Sequence, residues 1–112
     1  VVDGANLELA AETAERRIEG GTVVVADDDN RIVGALVAVP RDEGVHVEAI
    51  AVRRRRRAQG IGSALIAYAA REWSRLTAEF NAGTKPFYES LGFDVEARGD
   101  RYWGVLERRN SE

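Results

Sequence analysis

Three β-rich runs in the first half of the chain, Thr22 to Ala26, Ile32 to Val39 and Val45 to Val52, are separated only by short turns. A parallel crossover needs about a dozen residues or more, so these runs must lie side by side as antiparallel neighbours. Asp27-Asp28-Asp29-Asn30 and Arg41 to Gly44 carry the residues that turns demand. The middle run is nearly all apolar and is expected to be buried on both faces. Further along, Ile61, Ala64, Leu65, Tyr68 and Ala69 match the spacing of an amphipathic helix in full. Leu76 to Phe80 reads as a fourth strand, and a short helix from Thr84 to Leu91 stops at Gly92. Phe93 to Ala97 and Arg101 to Leu106 form a hairpin around Gly99-Asp100. Near the start, Leu7, Ala10, Ala11, Ala14 and Ile18 share one helical face, with Arg16 and Arg17 late and Gly20-Gly21 as the stop. That spacing predicts a helix over Leu7 to Ile18. With no repeat and no linker, residues 1–112 read as a single mixed α/β domain.

Composition narrows the chemistry. Hydrophobic residues at 45% and charged residues at 31% suit a packed globular core. The chain has no Cys, which removes disulfides, thiolate nucleophiles and Cys-ligated zinc. His46 is the single His, so a His-rich metal site is not expected either. The net charge of -3 argues against a molecule built to attract nucleic acid or an acidic membrane. The five arginines Arg53 to Arg57 have no aromatic residue among them, and read as a solvated basic loop or a nucleic-acid contact. The longest apolar stretch ends at Pro40, far short of the roughly 20 residues of a membrane span. No signal peptide is visible, and a cytoplasmic location is the expectation.

The chemistry gathers where the third run meets the amphipathic helix. Gly60 and Gly62 flank Ile61 at the helix mouth, where the first backbone N–H groups have no intrahelical partner. Those donors and the positive end of the helix dipole suit an anion, and glycines leave it room. Arg57 adds a full charge beside it. The spacing suits a pyrophosphate cradle, and it equally suits a loop softened by glycine. It is not a P-loop, because the only Lys is Lys85, following Thr84. It is not a dinucleotide fingerprint, because Leu65 stands where a third Gly belongs.

The stretch VEAIAVRRRRRAQGIGSALIAYA resembles the acyl-CoA-binding motif of the GNAT superfamily of N-acetyltransferases, with Arg57-Ala58-Gln59-Gly60-Ile61-Gly62 in the Arg/Gln-x-x-Gly-x-Gly/Ala position. AEFNAGTKPFYESLGF resembles that family's second motif through Asn81, Tyr88, Gly92 and Phe93. The resemblance implies a mostly antiparallel twisted sheet, splayed between the third and fourth visible strands and flanked by helices. It implies acetyl-CoA as co-substrate and an amine as acceptor, small molecule or protein. Backbone groups of Ile50, Ala51 and Val52 would pair with the pantetheine arm. Arg57, Ala58, Gln59, Gly60, Ile61, Gly62 and Ser63 would hold the pyrophosphate, with Asn81 touching the cofactor. Tyr88 would stand near the sulfur as a hydrogen-bond donor to the leaving thiolate, although beside Phe87 it also suits a core.

A lysine-like amine costs ~4.6 kcal/mol to deprotonate at neutral pH, an N-terminal amine only ~1 kcal/mol, so a base matters mainly for the first. His46 and Glu48 stand two apart on the third run, which by alternation puts both on one face. The pattern HVEAIAV is similar to the strand that bears the base in some family members. Either residue also suits a solvated position near the Gly44 turn. Glu79 is a third candidate. A phenol is a weaker acid than a thiol by ~2 kcal/mol, so Tyr88 is better described as a hydrogen-bond donor than as a full acid. Without Cys there is no thiol acyl-enzyme, and transfer through a ternary complex is expected. Two other readings stand beside it: an acyl-CoA-binding sensor or scaffold without catalysis, and a nucleic-acid module on the arginine run. Phe80, Tyr102, Trp73 and Trp103 suit a pocket or a core alike. The exposed ends of a splayed sheet suit a homodimer.

Members of this family usually begin with a further strand and helix, which this chain is expected to lack. The chain opens on Val1 and contains no Met. A portion lacking its N-terminal strand and helix accounts for both facts, and a naturally minimal chain is the alternative.

Overall fold

A computed structural model describes residues 12–56 and 60–107. Seven strands form one sheet: β1 (Glu12–Ile18), β2 (Gly21–Asp28), β3 (Arg31–Arg41), β4 (Gly44–Val52), β5 (Arg75–Phe80), β6 (Asp94–Arg98) and β7 (Arg101–Glu107). Their spatial order is β1-β2-β3-β4-β5-β7-β6. Helix α1 (Ile61–Glu72) connects β4 to β5, and the short α2 (Lys85–Ser90) lies between β5 and β6. Every pairing is antiparallel except β4 with β5, whose crossover runs through α1.

The apolar stripe of α1 explains where the core sits. Ile61, Leu65, Ile66 and Ala69 are buried against Val24, Leu36 and Ala38 on one face of the sheet. Gly34 allows the close approach, since a Cβ there would lie 2.9 Å from Ile61 Cγ2. The expected hairpin at Gly99 is present, with Gly99 at φ 64 and Arg98 opposite Arg101.

Two expectations need correction. Residues 12–18 of the expected first helix form β1, paired with β2 from Ile18↔Gly21 to Glu12↔Asp27; Leu7 to Ala11 lie outside the described residues. Within this stretch only Ala14 and Ile18 carry the helical spacing. The Gly20 that looked like a helix stop sits at φ 86 and turns a tight hairpin instead. Pairing along the open edge of β2 outweighs the local preference. The second correction concerns β3, which is not buried on both faces. Val33, Leu36 and Ala38 are buried, but Ala35, Val37 and Val39 are half-buried and Ile32 is 44% exposed. Among the described residues, no helix lies over that second face.

Candidate functional site

The sheet forks between β4 and β5. The two strands share three rungs, Val45↔Leu76, His46↔Thr77 and Val47↔Ala78, and then part. These are the third and fourth strands of the sequence reading, and the splay expected there is present. Just beyond the last rung, β4 carries a bulge. Val37 pairs with Ala49 and Ala38 with Val47, which leaves Glu48 as the extra residue. From Ala49 to Val52, β4 stays paired with β3, and among the described residues no strand lies on the other edge of Ala49 to Ala51. The outward backbone groups of Ile50 and Ala51 face an extended ligand's path along that edge.

The bulge keeps Glu48 on the side of His46. Val45 and Val47 face the core, and after the bulge Ile50 and Val52 do. Glu48 and Ala49 between them are both exposed, and the Glu48 charge reaches His46.

Past β4, Arg54–Arg56 forms a single 3-10 turn, and Arg57, Ala58 and Gln59 lie outside the described residues. Gly60 caps α1 at φ 83, a left-handed conformation that favours glycine. The first intrahelical bond runs from the Ala64 N–H to the Gly60 carbonyl at 2.9 Å. The amides of Ile61, Gly62 and Ser63 therefore have no helical acceptor. No acidic residue stands in this first turn. A Cβ on Gly62 would lie 3.3 Å from the Phe87 ring and 3.8 Å from Val52 Cγ2. The helix mouth is thus closed in on two sides, by the end of β4 and by α2.

Asn81 follows β5 and has a local task. Its Oδ1 accepts a hydrogen bond from the Thr84 N–H at 3.2 Å, capping the turn into α2. Tyr88 is buried at 6% exposure, with its ring stacked on Phe80 at 4.2 Å and edge-on to Phe87 and Phe93. The ring belongs to the core, while the hydroxyl makes no hydrogen bond to a described residue. Burial pushes its pKa above the ordinary tyrosine value, so the hydroxyl keeps its proton at neutral pH.

His46 is held by two side chains, Thr77 and Trp103. Its Nδ1 lies 2.8 Å from Thr77 Oγ1, and its ring stacks on Trp103 at 5.4 Å. The Arg98 guanidinium lies over the same indole at 4.5 Å. Burial lowers the imidazole pKa, the Arg41 charge lowers it further, and Glu48 and Glu79 oppose them without reversing the shift. His46 is consequently neutral at pH 7. Glu79 is exposed and pairs with Arg101 at 3.4 Å. Beside the imidazole lies a cleft of about 320 Å³ lined by Arg41, Asp42, Glu43, Arg75, Thr77 and Trp103. Thr77 has no mark in the sequence that singles it out, and Trp103 was one of four aromatics open to either reading. Phe80 is core, whereas Trp103 is half-buried against His46.

Among the described residues, no three His, Asp or Glu side chains are placed to hold a metal. None of the described helices is long and apolar enough to cross a membrane.

The sequence model described as the acetyltransferase (GNAT) domain matches residues 19–95. Solved structures share the fold. A protein from Desulfovibrio desulfuricans assigned to the GNAT family of acetyltransferases is 28% identical, at a TM-score of 0.70 over 79% of this chain and 69% of that one. A Bacillus anthracis protein assigned as a streptothricin acetyltransferase, solved with acetyl coenzyme A, is 21% identical at a TM-score of 0.70, over 83% of this chain and 66% of that one. A GNAT family acetyltransferase from Elizabethkingia anophelis with acetyl-CoA bound is 14% identical at a TM-score of 0.74, over 88% and 99% of the two chains. The chain thus spans about two thirds of the length of the first two. No curated protein sequence matches it.

Proposed function

Because the chain belongs to the GNAT family of acetyltransferases, we propose that it moves an acetyl group from acetyl-CoA directly to a primary amine within a ternary complex. The observation that carries this reading is the fork: β4 and β5 part after Val47↔Ala78, and the gap leads to the mouth of α1, whose first amides have no helical acceptor. The residues present fit a long thioester with a pyrophosphate in its middle. Ile50 and Ala51 offer backbone groups along the parted edge of β4 to the amide-bearing arm, and Val52 follows them toward the helix mouth. The amides of Ile61, Gly62 and Ser63 and the positive end of α1 would hold the pyrophosphate, with Arg57, Ala58 and Gln59 leading into it. Asn81, already committed through its Oδ1, keeps its amide nitrogen for the same ligand.

Acetyl-CoA supplies, when bound, an acyl group already activated for attack by an amine. The protein's part is to bind, to orient and to move protons. His46, neutral at pH 7, takes the proton of the acceptor ammonium at Nε2, provided that Nδ1 carries the hydrogen and donates it to Thr77 Oγ1. The cleft beside His46 is the acceptor's approach. Glu48, at the bulge, is the second candidate for the base, and the ion-paired Glu79 the third. Tyr88 offers its hydroxyl proton as a hydrogen bond to the departing thiolate.

Mass spectrometry of a panel of amines incubated with acetyl-CoA tests this. The panel holds a polyamine, an aminoglycoside, an arylalkylamine, a peptide with a free N-terminus and a lysine peptide. At least one acetylated amine is expected, in step with free CoA. Tight acetyl-CoA binding with no product from any class would make the chain a sensor or scaffold.

A further inference from the structure

A row of side chains beside His46 takes no direct part in the transfer. Trp103 on β7 stands between β5 and β6, opposite Glu79 on one side and Glu96 on the other. Its indole reaches across β5 and stacks on the His46 ring, with centroids 5.4 Å apart and planes within 18°. Thr77, the β5 residue opposite His46, is small and 6% exposed, so it leaves room for the crossing. Arg98 on β6 lies over the same indole at 4.5 Å, and Glu96 holds its Nε at 2.9 Å. Since β4 and β6 lie on opposite sides of β7, the indole is braced between His46 and Arg98. A guanidinium over an aromatic face is attracted by the ring quadrupole. Arg98 thus restrains a side chain that is otherwise only half-buried.

Aiming an imidazole takes two constraints. The bond between Nδ1 and Thr77 selects the nitrogen that faces β5, but one hydrogen bond lets the ring tilt about it. Stacking fixes the plane, because a tilted ring loses its contact with the indole. With both in place Nε2 has one direction. Thr77 and Trp103 both line the cleft beside the imidazole. We propose that Trp103, braced by Arg98, is a positioning residue that fixes the plane of His46 and so aims Nε2 at the acceptor amine. The inference rests on the acetyl-transfer reading above, with His46 as the base. The indole is also one of the groups that shield the imidazole from water, and that burial is the first cause of its lowered pKa. Arg41 from β3 acts in the same direction, while Glu48 from β4 and Glu79 from β5 oppose it. Glu79 is tied to Arg101 on β7, and the Arg98–Glu96 pair faces the imidazole from β6, beyond the indole.

His46 is the single His of the chain, so proton NMR reads its titration without overlap. Trp103→Leu should lower kcat about tenfold with KM for acetyl-CoA within about twofold. The His46 midpoint should move up towards the ordinary imidazole value as water reaches the ring, and the acid limb of kcat/KM should move with it. Trp103→Phe keeps a flat ring and should restore most of both. Arg98→Gln, an exposed change, should lower kcat about threefold and move the midpoint the same way. Circular dichroism checks the fold, and if Trp103→Leu loses it, Arg98→Gln decides. A parental kcat and midpoint in Trp103→Leu or in Arg98→Gln overturns the proposal, as does a Phe variant no better than the Leu one. A parent that acetylates no amine overturns the transferase reading as a whole, whereas an active parent with unmoved variants overturns the positioning role alone.

Discussion

The Nδ1 of His46 and the Oγ1 of Thr77 lie 2.8 Å apart, on the middle of the three rungs that hold β4 to β5 before the sheet forks. The strands that open to form the site are thus tied together by the side chains nearest to its base. With Thr77 as acceptor the hydrogen stays on Nδ1 and the Nε2 lone pair is free, which is the tautomer that the proposed base requires. Thr77→Val should lower kcat about tenfold with little change in KM for acetyl-CoA, and Thr77→Ser should restore most of it. A Val variant with parental kcat would reduce Thr77 to packing.

The His46 shift sets a pH dependence. Its pKa in the folded state lies below the ordinary imidazole value, because burial and Arg41 disfavour the cation. The unfolded chain binds that proton more readily, so His46 contributes stability above about pH 6.5 that is lost as pH falls through the lowered value. The acid limb of kcat/KM should likewise fall below about 6.5. His46→Gln should remove that limb, which a stopped assay from pH 5 to 9 would show. A limb that survives the substitution points to Glu48.

Tyr88 combines a core ring with a hydroxyl that bonds to no described residue, and Tyr88→Phe separates the two. The ring contacts with Phe80, Phe87 and Phe93 survive, so thermal stability should move by no more than about 1 kcal/mol. Turnover should fall about ten- to a hundredfold while the Kd for acetyl-CoA stays within about twofold. Unchanged turnover would return Tyr88 to packing alone.

Gly34→Val tests how α1 is seated. Its Cβ would press on Ile61 Cγ2 at 2.9 Å and approach the Ala51 carbonyl at 3.2 Å. The expected cost is about 1–3 kcal/mol, read as a lower Tm, together with weaker acyl-CoA binding because Ile61 opens the helix mouth. A Tm equal to the parent's would mean that α1 sits further from β3.

Much of this site was legible in the sequence. Helix α1 shows a complete apolar stripe, and its glycine mouth needs no tertiary knowledge to interpret. The antiparallel order of β2, β3 and β4 follows from turn length alone. What was not legible depends on partners distant along the chain. Ala14 and Ile18 have a helical spacing that only the edge of β2 overrides. The bulge at Glu48 has no residue signature, yet it sets which residues beyond it face the core. Thr77 meets His46 across 31 residues through a parallel register that no local pattern announces.

The central claim is that the mouth of α1 holds the phosphates of an acyl-CoA. Calorimetric titration with acetyl-CoA of the parent and of Gly60→Val tests it most directly. Gly99→Val serves as control, because Gly99 also has positive φ but lies in the β6–β7 turn with open space around it. Each substitution should cost about 1–2 kcal/mol of stability from backbone strain. Acetyl-CoA binding should be lost in Gly60→Val and kept in Gly99→Val. Equal binding by Gly60→Val and the parent would contradict the account and place the cofactor elsewhere.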